Sequence, residues 1–270
     1  VKRIVLAFSG EADEAVAVPW LSETLRADVV TVTLDLGLGR DPAELRERAL
    51  ALGAARAHVL DVRESFASDG LLPALRAGTL AGAGPTTAAQ IARPLLARHL
   101  VEVAKLERAT AVAHAAAGPD REAMDALVRA VDPSITIVAP ADTWKLSAAD
   151  KLAILRDRGV AESGIEANQS QPLEAPDSPA TVDIAFEQGV PVEISGVPMG
   201  MAELIQCLDT IAGGHGVGRG RGAGTAALIV LDAAHRALQE TAVPDDAGSG
   251  LVRLELFKGD CRVIGRHAMA

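Results

Sequence analysis

Along the first 160 residues, short apolar runs alternate with longer segments whose apolar positions recur every three or four residues. The runs at 4–8, 29–34, 57–60, 110–113 and 135–138 are too short for helices and predict buried strands. The periodic segments between and after them, at 13–25, 42–52, 88–105, 121–131 and 148–158, predict helices. Asp41 reads as an N-cap, Pro42 as the first residue of its helix and Gly53 as the stop. Strands separated by helices predict βαβ units and a mainly parallel sheet. In such sheets ligands gather at the carboxyl ends of the strands. The loops after Phe8, Leu34 and Ala113 are therefore where chemistry is expected.

The pattern changes after Gly159. Residues 162–180 mix Asn, Gln, Ser, Pro and acidic residues without a period and predict a linker or surface loop. Strand alternation returns at 181–186 and 190–194 around Gln188-Gly189, and an amphipathic helix is predicted at 201–211. Residues 213–224 hold seven glycines, 225–238 read as a helix, and 252–257 with 262–264 predict a hairpin across Lys258-Gly259-Asp260. The expected organisation is an α/β parallel-sheet domain at 1–160, a linker at 161–180 and a smaller α+β domain at 181–270.

Composition narrows the function. A net charge of −10 argues against a broad nucleic-acid footprint. Cys207 and Cys261 are too few and too far apart for a disulfide framework and read as reduced thiols. No apolar run reaches the roughly 20 residues of a membrane span, and the first residues lack a signal-peptide profile, so a soluble cytoplasmic protein is expected. Aromatic residues are 2% of the chain, with no tyrosine, which leaves few platforms for stacking on a substrate ring. Trp20 and Trp144 lie in apolar neighbourhoods and are expected in the core.

The opening strand and turn carry the sharpest signal. Ala7 and Phe8 close an apolar run, Ser9-Gly10 turns the chain, and a helix follows. That arrangement offers free backbone N–H groups to an anion. Glu11 and Glu14 then place negative charge where the anion belongs. At about 4 Å and an effective dielectric of about 20, each such pair of full charges costs on the order of 4 kcal/mol. Two readings stay open for Glu11, Asp13 and Glu14. They are solvated first-turn acids favoured by the helix dipole, or, with Asp35 and His114, they form a converted pocket that grips a cation or performs acid/base chemistry. His114 by itself reads as a packing histidine or as the one member that titrates near neutrality. The set lacks the spacing of a zinc site, and no metal is assigned. Arg93, before Pro94, reads either as an ion-pair anchor or as facing the ligand cleft. The glycine-rich run is weak as a dinucleotide motif because no strand precedes it, and Arg219 and Arg221 within it are expected to be exposed.

An ordered set of segments resembles the argininosuccinate synthase family. Ile4-Val5-Leu6-Ala7-Phe8-Ser9-Gly10 parallels that family's strand into an S-G-G-x-D-T-S loop, and Thr33-Leu34-Asp35-Leu36-Gly37 parallels its T-A-D-x-G segment. Ile91-Ala92-Arg93-Pro94-Leu95, Ala113-His114 and Val138-Ala139-Pro140 follow in order. So do Gly214-His215-Gly216-Val217-Gly218-Arg219, Ala234-His235-Arg236-Ala237-Leu238 and the hairpin from Leu251 to Arg266. The resemblance implies an N-type ATP-pyrophosphatase domain of the PP-loop superfamily (an adenine nucleotide alpha-hydrolase-like fold) joined to a synthetase domain. It implies ATP and Mg2+ as cofactors, adenylylation of citrulline, displacement of AMP by aspartate, and a tetramer held partly by a C-terminal helix. Carried over residue by residue, Ala7, Phe8, Ser9, Gly10, Leu34 and Asp35 fall at the nucleotide, and Gln90 and Arg93 at the substrate.

The departures fall on those working parts. Glu11 replaces the loop's second glycine, Glu14 its threonine and Ala15 its final serine; Leu34 replaces the alanine against which the nucleotide packs. Pro85, Ala89 and Gln90 stand where a tyrosine and a Thr-Ser pair meet citrulline. The A-H-G-x-T-G-x-G-N-D-Q-x-R run survives only as Ala113-His114-Ala115-Ala116-Ala117-Gly118-Pro119-Asp120-Arg121. Against the family pattern, substrate-contacting pieces between Gly159 and Glu174 and around Gly222 are expected to be deleted, the segment before the hairpin to be cut to Pro244–Gly250, and the C-terminal tail to be absent. Each lost hydrogen bond is worth about 0.5–1.5 kcal/mol, and about 1.5–3 when charged. Loss of argininosuccinate synthesis is therefore expected, with doubtful ATP binding and a cleft remodelled for a small molecule or a partner protein. The alternative is an active enzyme with a new substrate, either an AMP-forming ligase or an acid/base catalyst using Glu11, Asp13, Glu14 and His114. A homodimer through the second domain stays open.

Overall fold

The computed structural model describes residues 2–39, 41–80, 87–144, 146–159, 175–219, 224–240 and 248–267. The expected linker at 161–180 falls mostly outside these residues, as do Pro85, Arg221 and Gly222. The chain forms two compact units that are not contiguous in sequence. One comprises Val1–Asp35, Arg40–Val62 and Arg93–Ala167; the other comprises Leu36–Gly39, Arg63–Ala92 and Asn168–Ala270. A single division near residue 160 assigns Leu36–Gly39 and Arg63–Ala92 to the first unit, whereas their contacts put them in the second.

The first unit is built on five strands: β1 (Lys2–Ala7), β2 (Ala27–Asp35), β3 (Arg56–Asp61), β4 (Ala111–Ala113) and β5 (Thr136–Val138). They pair in the order β3-β2-β1-β4-β5, every pair parallel. Parallel strands covered on both faces are apolar throughout, and β1 shows how the two faces are shared. Ile4 and Leu6, with Phe8 beyond the strand, pack with α1 (Ala12–Leu25), α2 (Pro42–Ala51) and α7 (Ala148–Asp157). Val5 and Ala7 point the other way, into a cluster with α5 (Thr87–Leu106) and α6 (Pro119–Val131). Trp20 and Trp144 pack against the first cluster edge to face, their ring centroids 5.8 Å apart. The start of α2 forms as expected: the Asp41 carboxylate accepts from Ala43 N at 2.8 Å, and Pro42 follows it. Ser147 and Asp150 close a reciprocal capping box on α7.

At the amino ends of the strands, buried Glu107 ties three segments together. Its carboxylate accepts from Arg3 at 3.1 Å, from Arg56 at 3.1 Å and lies 2.8 Å from His58 Nε2. At the carboxyl ends, β1 and β4 are neighbours although β2 and β3 intervene in sequence. The strand order reverses there, and a crevice opens at such a point.

The second unit holds an antiparallel sheet of β6 (Ala180–Glu187), β7 (Val190–Ile194), β8 (Val197–Pro198), β9 (Gly250–Phe257) and β10 (Asp260–His267), in the order β10-β9-β6-β7-β8. Alternation leaves Val182, Ile184, Phe186, Val252, Leu254 and Leu256 buried, while α8 (Met201–Gly214) and α9 (Thr225–Gln239) pack on the sheet. The segment 63–76, for which the sequence pattern gives no element, is helical. It runs as α3 (Arg63–Ser65), a π-helical stretch (Phe66–Leu71) and α4 (Leu72–Arg76), burying Phe66, Leu71 and Leu75. Its five-residue hydrogen-bond spacing breaks the 3.6 period on which a sequence reading depends.

Candidate functional site

The turn after β1 is held by its own backbone. Phe8 N donates to Val32 O at 2.9 Å, and the buried Thr33 hydroxyl donates to Phe8 O at 2.7 Å. Gly10 turns the chain at φ 86°, a left-handed conformation that a side chain strains. Glu11 follows as the N-cap of α1, its side chain making no cap bond, and Ala15 N donates to Glu11 O at 2.9 Å.

Glu14, one turn into α1, folds back over this loop. Its Oε2 accepts from the Ser9 backbone N–H, and from Ser9 Oγ at 2.8 Å. The Glu11 backbone N–H also supports its charged form. Half-buried and surrounded this way, the Glu14 carboxyl has a pKa raised from its ordinary 4.5 to about 7. Burial is the largest cause; the Ser9 amide and hydroxyl pull against it, and the neighbouring Glu11 charge adds to it.

The other acids and the histidine go elsewhere. Asp13 pairs with Lys151 of α7. Asp35 sits half-buried at the end of β2, opposite Asp61 in register, and Leu34 packs toward the α5–α6 side. His114 N donates to Val138 O at 3.2 Å, extending β4 by one residue. Ala113 faces the α1 cluster, so the next side chain falls on the opposite, α6 side. There His114 Nε2 lies 2.9 Å from Asp125 Oδ1, both residues buried. Arg129 and Arg121 share that carboxylate from 3.4 and 3.9 Å. Burial lowers the His114 pKa and the Asp125 carboxylate opposes the shift, with the net effect downward. The ring is therefore neutral at neutral pH, with Nε2–H donating to Asp125 and Nδ1 without a hydrogen-bond partner among the described residues. Arg93 NH2 contacts Asp120 Oδ1 at 2.8 Å. Gln90 is exposed on α5 and belongs to the second unit.

Of the expected acid/base set, the fold keeps Glu11 and Glu14 together in one loop, with Ser9 between them and the strand. It gives Asp13 to Lys151 and His114 to Asp125. Lys151, Asp120 and Asp125 are the partners that sequence reasoning missed. Asp125 alone left a local trace, lying four residues from both Arg121 and Arg129. Arg219, in the glycine-rich segment, is exposed as expected. Among the described residues no three His, Cys, Asp or Glu side chains gather to hold a metal ion. No described helix is long and apolar enough to cross a membrane.

Comparison with known proteins bears on this arrangement. Residues 3–161 match the model of the arginosuccinate synthase N-terminal HUP domain, and residues 148–221 that of the arginosuccinate synthase C-terminal domain. The chain belongs to the argininosuccinate synthase family. It is similar to the argininosuccinate synthase of Streptococcus suis strain 05ZYH33, 34% identical over 252 residues, and to that of Bacillus cereus strain B4264, 35% identical over 252 residues. Each alignment covers 81% of this chain and 63% of the relative, so the chain spans less than two thirds of the length of these curated relatives. A predicted tRNA methyltransferase subunit from Methanocaldococcus jannaschii is 13% identical with a TM-score of 0.38, covering 61% of this chain and 92% of that one. As a member of the argininosuccinate synthase family the chain carries a PP-loop-type α/β domain, and the family implies ATP and Mg2+.

Proposed function

We propose that this member of the argininosuccinate synthase family no longer ligates citrulline to aspartate. In its place we read a remodelled cleft at the carboxyl end of the parallel sheet, open to a small molecule or a partner protein. One observation carries the reading. Four of the ionisable side chains nominated at that edge are engaged inside the protein: Glu14 with Ser9, Asp13 with Lys151, His114 with Asp125 and Arg93 with Asp120. A ligation site needs such groups aimed at substrate. A neutral, buried His114 bonded to Asp125 is shaped for packing rather than for proton transfer to a ligand.

The residues present do not fit a nucleotide triphosphate. A phosphate placed on the Ser9 donors meets the Glu14 carboxylate, with Glu11 beside it. At about 4 Å and an effective dielectric of about 20, each contact of unit charges costs on the order of 4 kcal/mol. Purified protein supplied with citrulline, aspartate, ATP and magnesium is expected to release no pyrophosphate above a protein-free control. Steady turnover dependent on both amino acids would sink this reading.

A further inference from the structure

The loop in front of β1 disagrees with the nucleotide that its family implies, and the disagreement resides in one side chain. We propose that Glu14 is an intramolecular counter-anion: its carboxylate closes the β1–α1 turn against phosphate-type anions, and the turn remains built to receive one once that carboxylate is removed. This rests on the reading of the same site given above and assigns the loss to a residue.

Three donors converge on the carboxylate: the Ser9 amide, the Ser9 hydroxyl and the Glu11 amide. Two backbone N–H groups, of Ser9 and Glu11, and a hydroxyl just ahead of a 14-residue helix form the kind of donor set that holds an oxyanion. A competing account is a helix cap. Glu14 stands three residues after the N-cap Glu11, where a glutamate reaches back to the N-cap amide in a capping box. Capping accounts for the Glu11 amide. It does not account for Ser9, whose amide and hydroxyl lie two residues ahead of the N-cap and are both taken. Nor does the turn depend on the carboxylate for its shape. Phe8 is fixed to Val32 and Thr33, Gly10 holds the left-handed conformation, and the Ala15–Glu11 bond starts the helix. Lys151, the cation brought to α1 from α7, is paired with Asp13. Removing the Glu14 side chain therefore takes its carboxylate off the Ser9 amide and hydroxyl and leaves the loop standing.

The test is equilibrium binding of inorganic pyrophosphate, and separately of ATP with magnesium, at pH 8 without citrulline or aspartate. Wild type is compared with Glu14→Ala, Glu14→Thr and the double variant Glu14→Ala/Ser9→Ala. The fluorescence of Trp20 and Trp144 certifies that each is folded. Wild type is expected to show no saturable binding of pyrophosphate. Glu14→Ala and Glu14→Thr are expected to bind it saturably, at least about tenfold more tightly than the upper limit set by wild type, from relief of like-charge repulsion. Removing the Ser9 hydroxyl as well is expected to reverse much of the gain. The proposal is overturned if wild type binds pyrophosphate as tightly as the variants, or if folded variants bind no better than wild type, the result expected of a helix cap alone. Should Glu14→Ala fail to fold, Glu14→Thr carries the comparison. Failure of the functional reading shows separately, as pyrophosphate released by wild type with both amino acids present.

Discussion

Replacing Glu14 with glutamine is expected to stabilise the first unit above pH 7 and to leave it nearly unchanged near pH 4.5. The folded protein raises this carboxyl from 4.5 to about 7, chiefly by burying it. Because the folded-state value is the higher one, the protonated form favours the fold. That stability is complete below 4.5 and is lost as the pH rises through about 7. A displacement of this size corresponds to about 3 kcal/mol between the two limits. Glutamine keeps an acceptor for the Ser9 and Glu11 donors and carries no charge, so it mimics the protonated state at every pH. Both tryptophans of the chain belong to the first unit, and Trp20 shares α1 with Glu14. Urea unfolding followed by tryptophan fluorescence therefore reports the relevant unit. With a slope of about 1–3 kcal/mol per molar urea, Glu14→Gln should raise the midpoint by about 1–3 M at pH 8. Other titrating groups cancel in the difference between the two proteins. A difference that is flat from pH 5 to 8, or wild type being the more stable protein at pH 8, refutes the reasoning. It would mean that the loop donors outweigh burial and that the carboxylate belongs in the loop at no cost.

Four further outcomes are expected. Glu107→Gln leaves Arg3, Arg56 and His58 around a neutral amide and should cost about 3 kcal/mol or more in the same urea assay. Burial raises the Glu107 pKa but His58 and Arg56 outweigh it, so this contribution is present at neutral pH and fades as pH falls. For His114, whose pKa lies below its ordinary 6.5, nitrogen-resolved NMR at pH 7 should show a neutral ring protonated at Nε2; a charged imidazolium would contradict the assignment. Gly224→Ala combines a backbone at φ 77° with a new Cβ 2.6 Å from Leu38 Cδ1, and should destabilise the second unit by about 2 kcal/mol or more in calorimetry. Gly78→Ala, at φ 65° with nothing within 4 Å, bears the backbone strain alone and should cost about 1 kcal/mol.

The legible parts of this protein were those whose signal is local. The alternating faces of β1, the Asp41-Pro42 start of α2 and the hairpin through Lys258-Gly259 each follow from side-chain period or turn chemistry within a few residues. The π-helical stretch Phe66–Leu71 was hidden because its hydrogen bonds follow a different spacing. The membership of 63–92 in the second unit was hidden for another reason. Compact units form by contact in space, and the chain crosses between them more than once.

The candidate site divides along the same line. Sequence alone was enough to show that the acids enter a strand–turn–helix loop of the kind that receives an anion. It left open whether Glu11, Asp13, Glu14 and His114 work as one group. Tertiary structure gives these side chains their partners, through the pleat and through distant contacts. Consecutive residues of a strand face opposite sides, so Ala113 turns to α1 and His114 to Asp125 on α6. Lys151, 138 residues from Asp13, reaches it only because α7 packs on α1. Glu14 meets Ser9 because Gly10 reverses the chain between them, and that closure, rather than the acidic composition of the turn, is what shuts the loop.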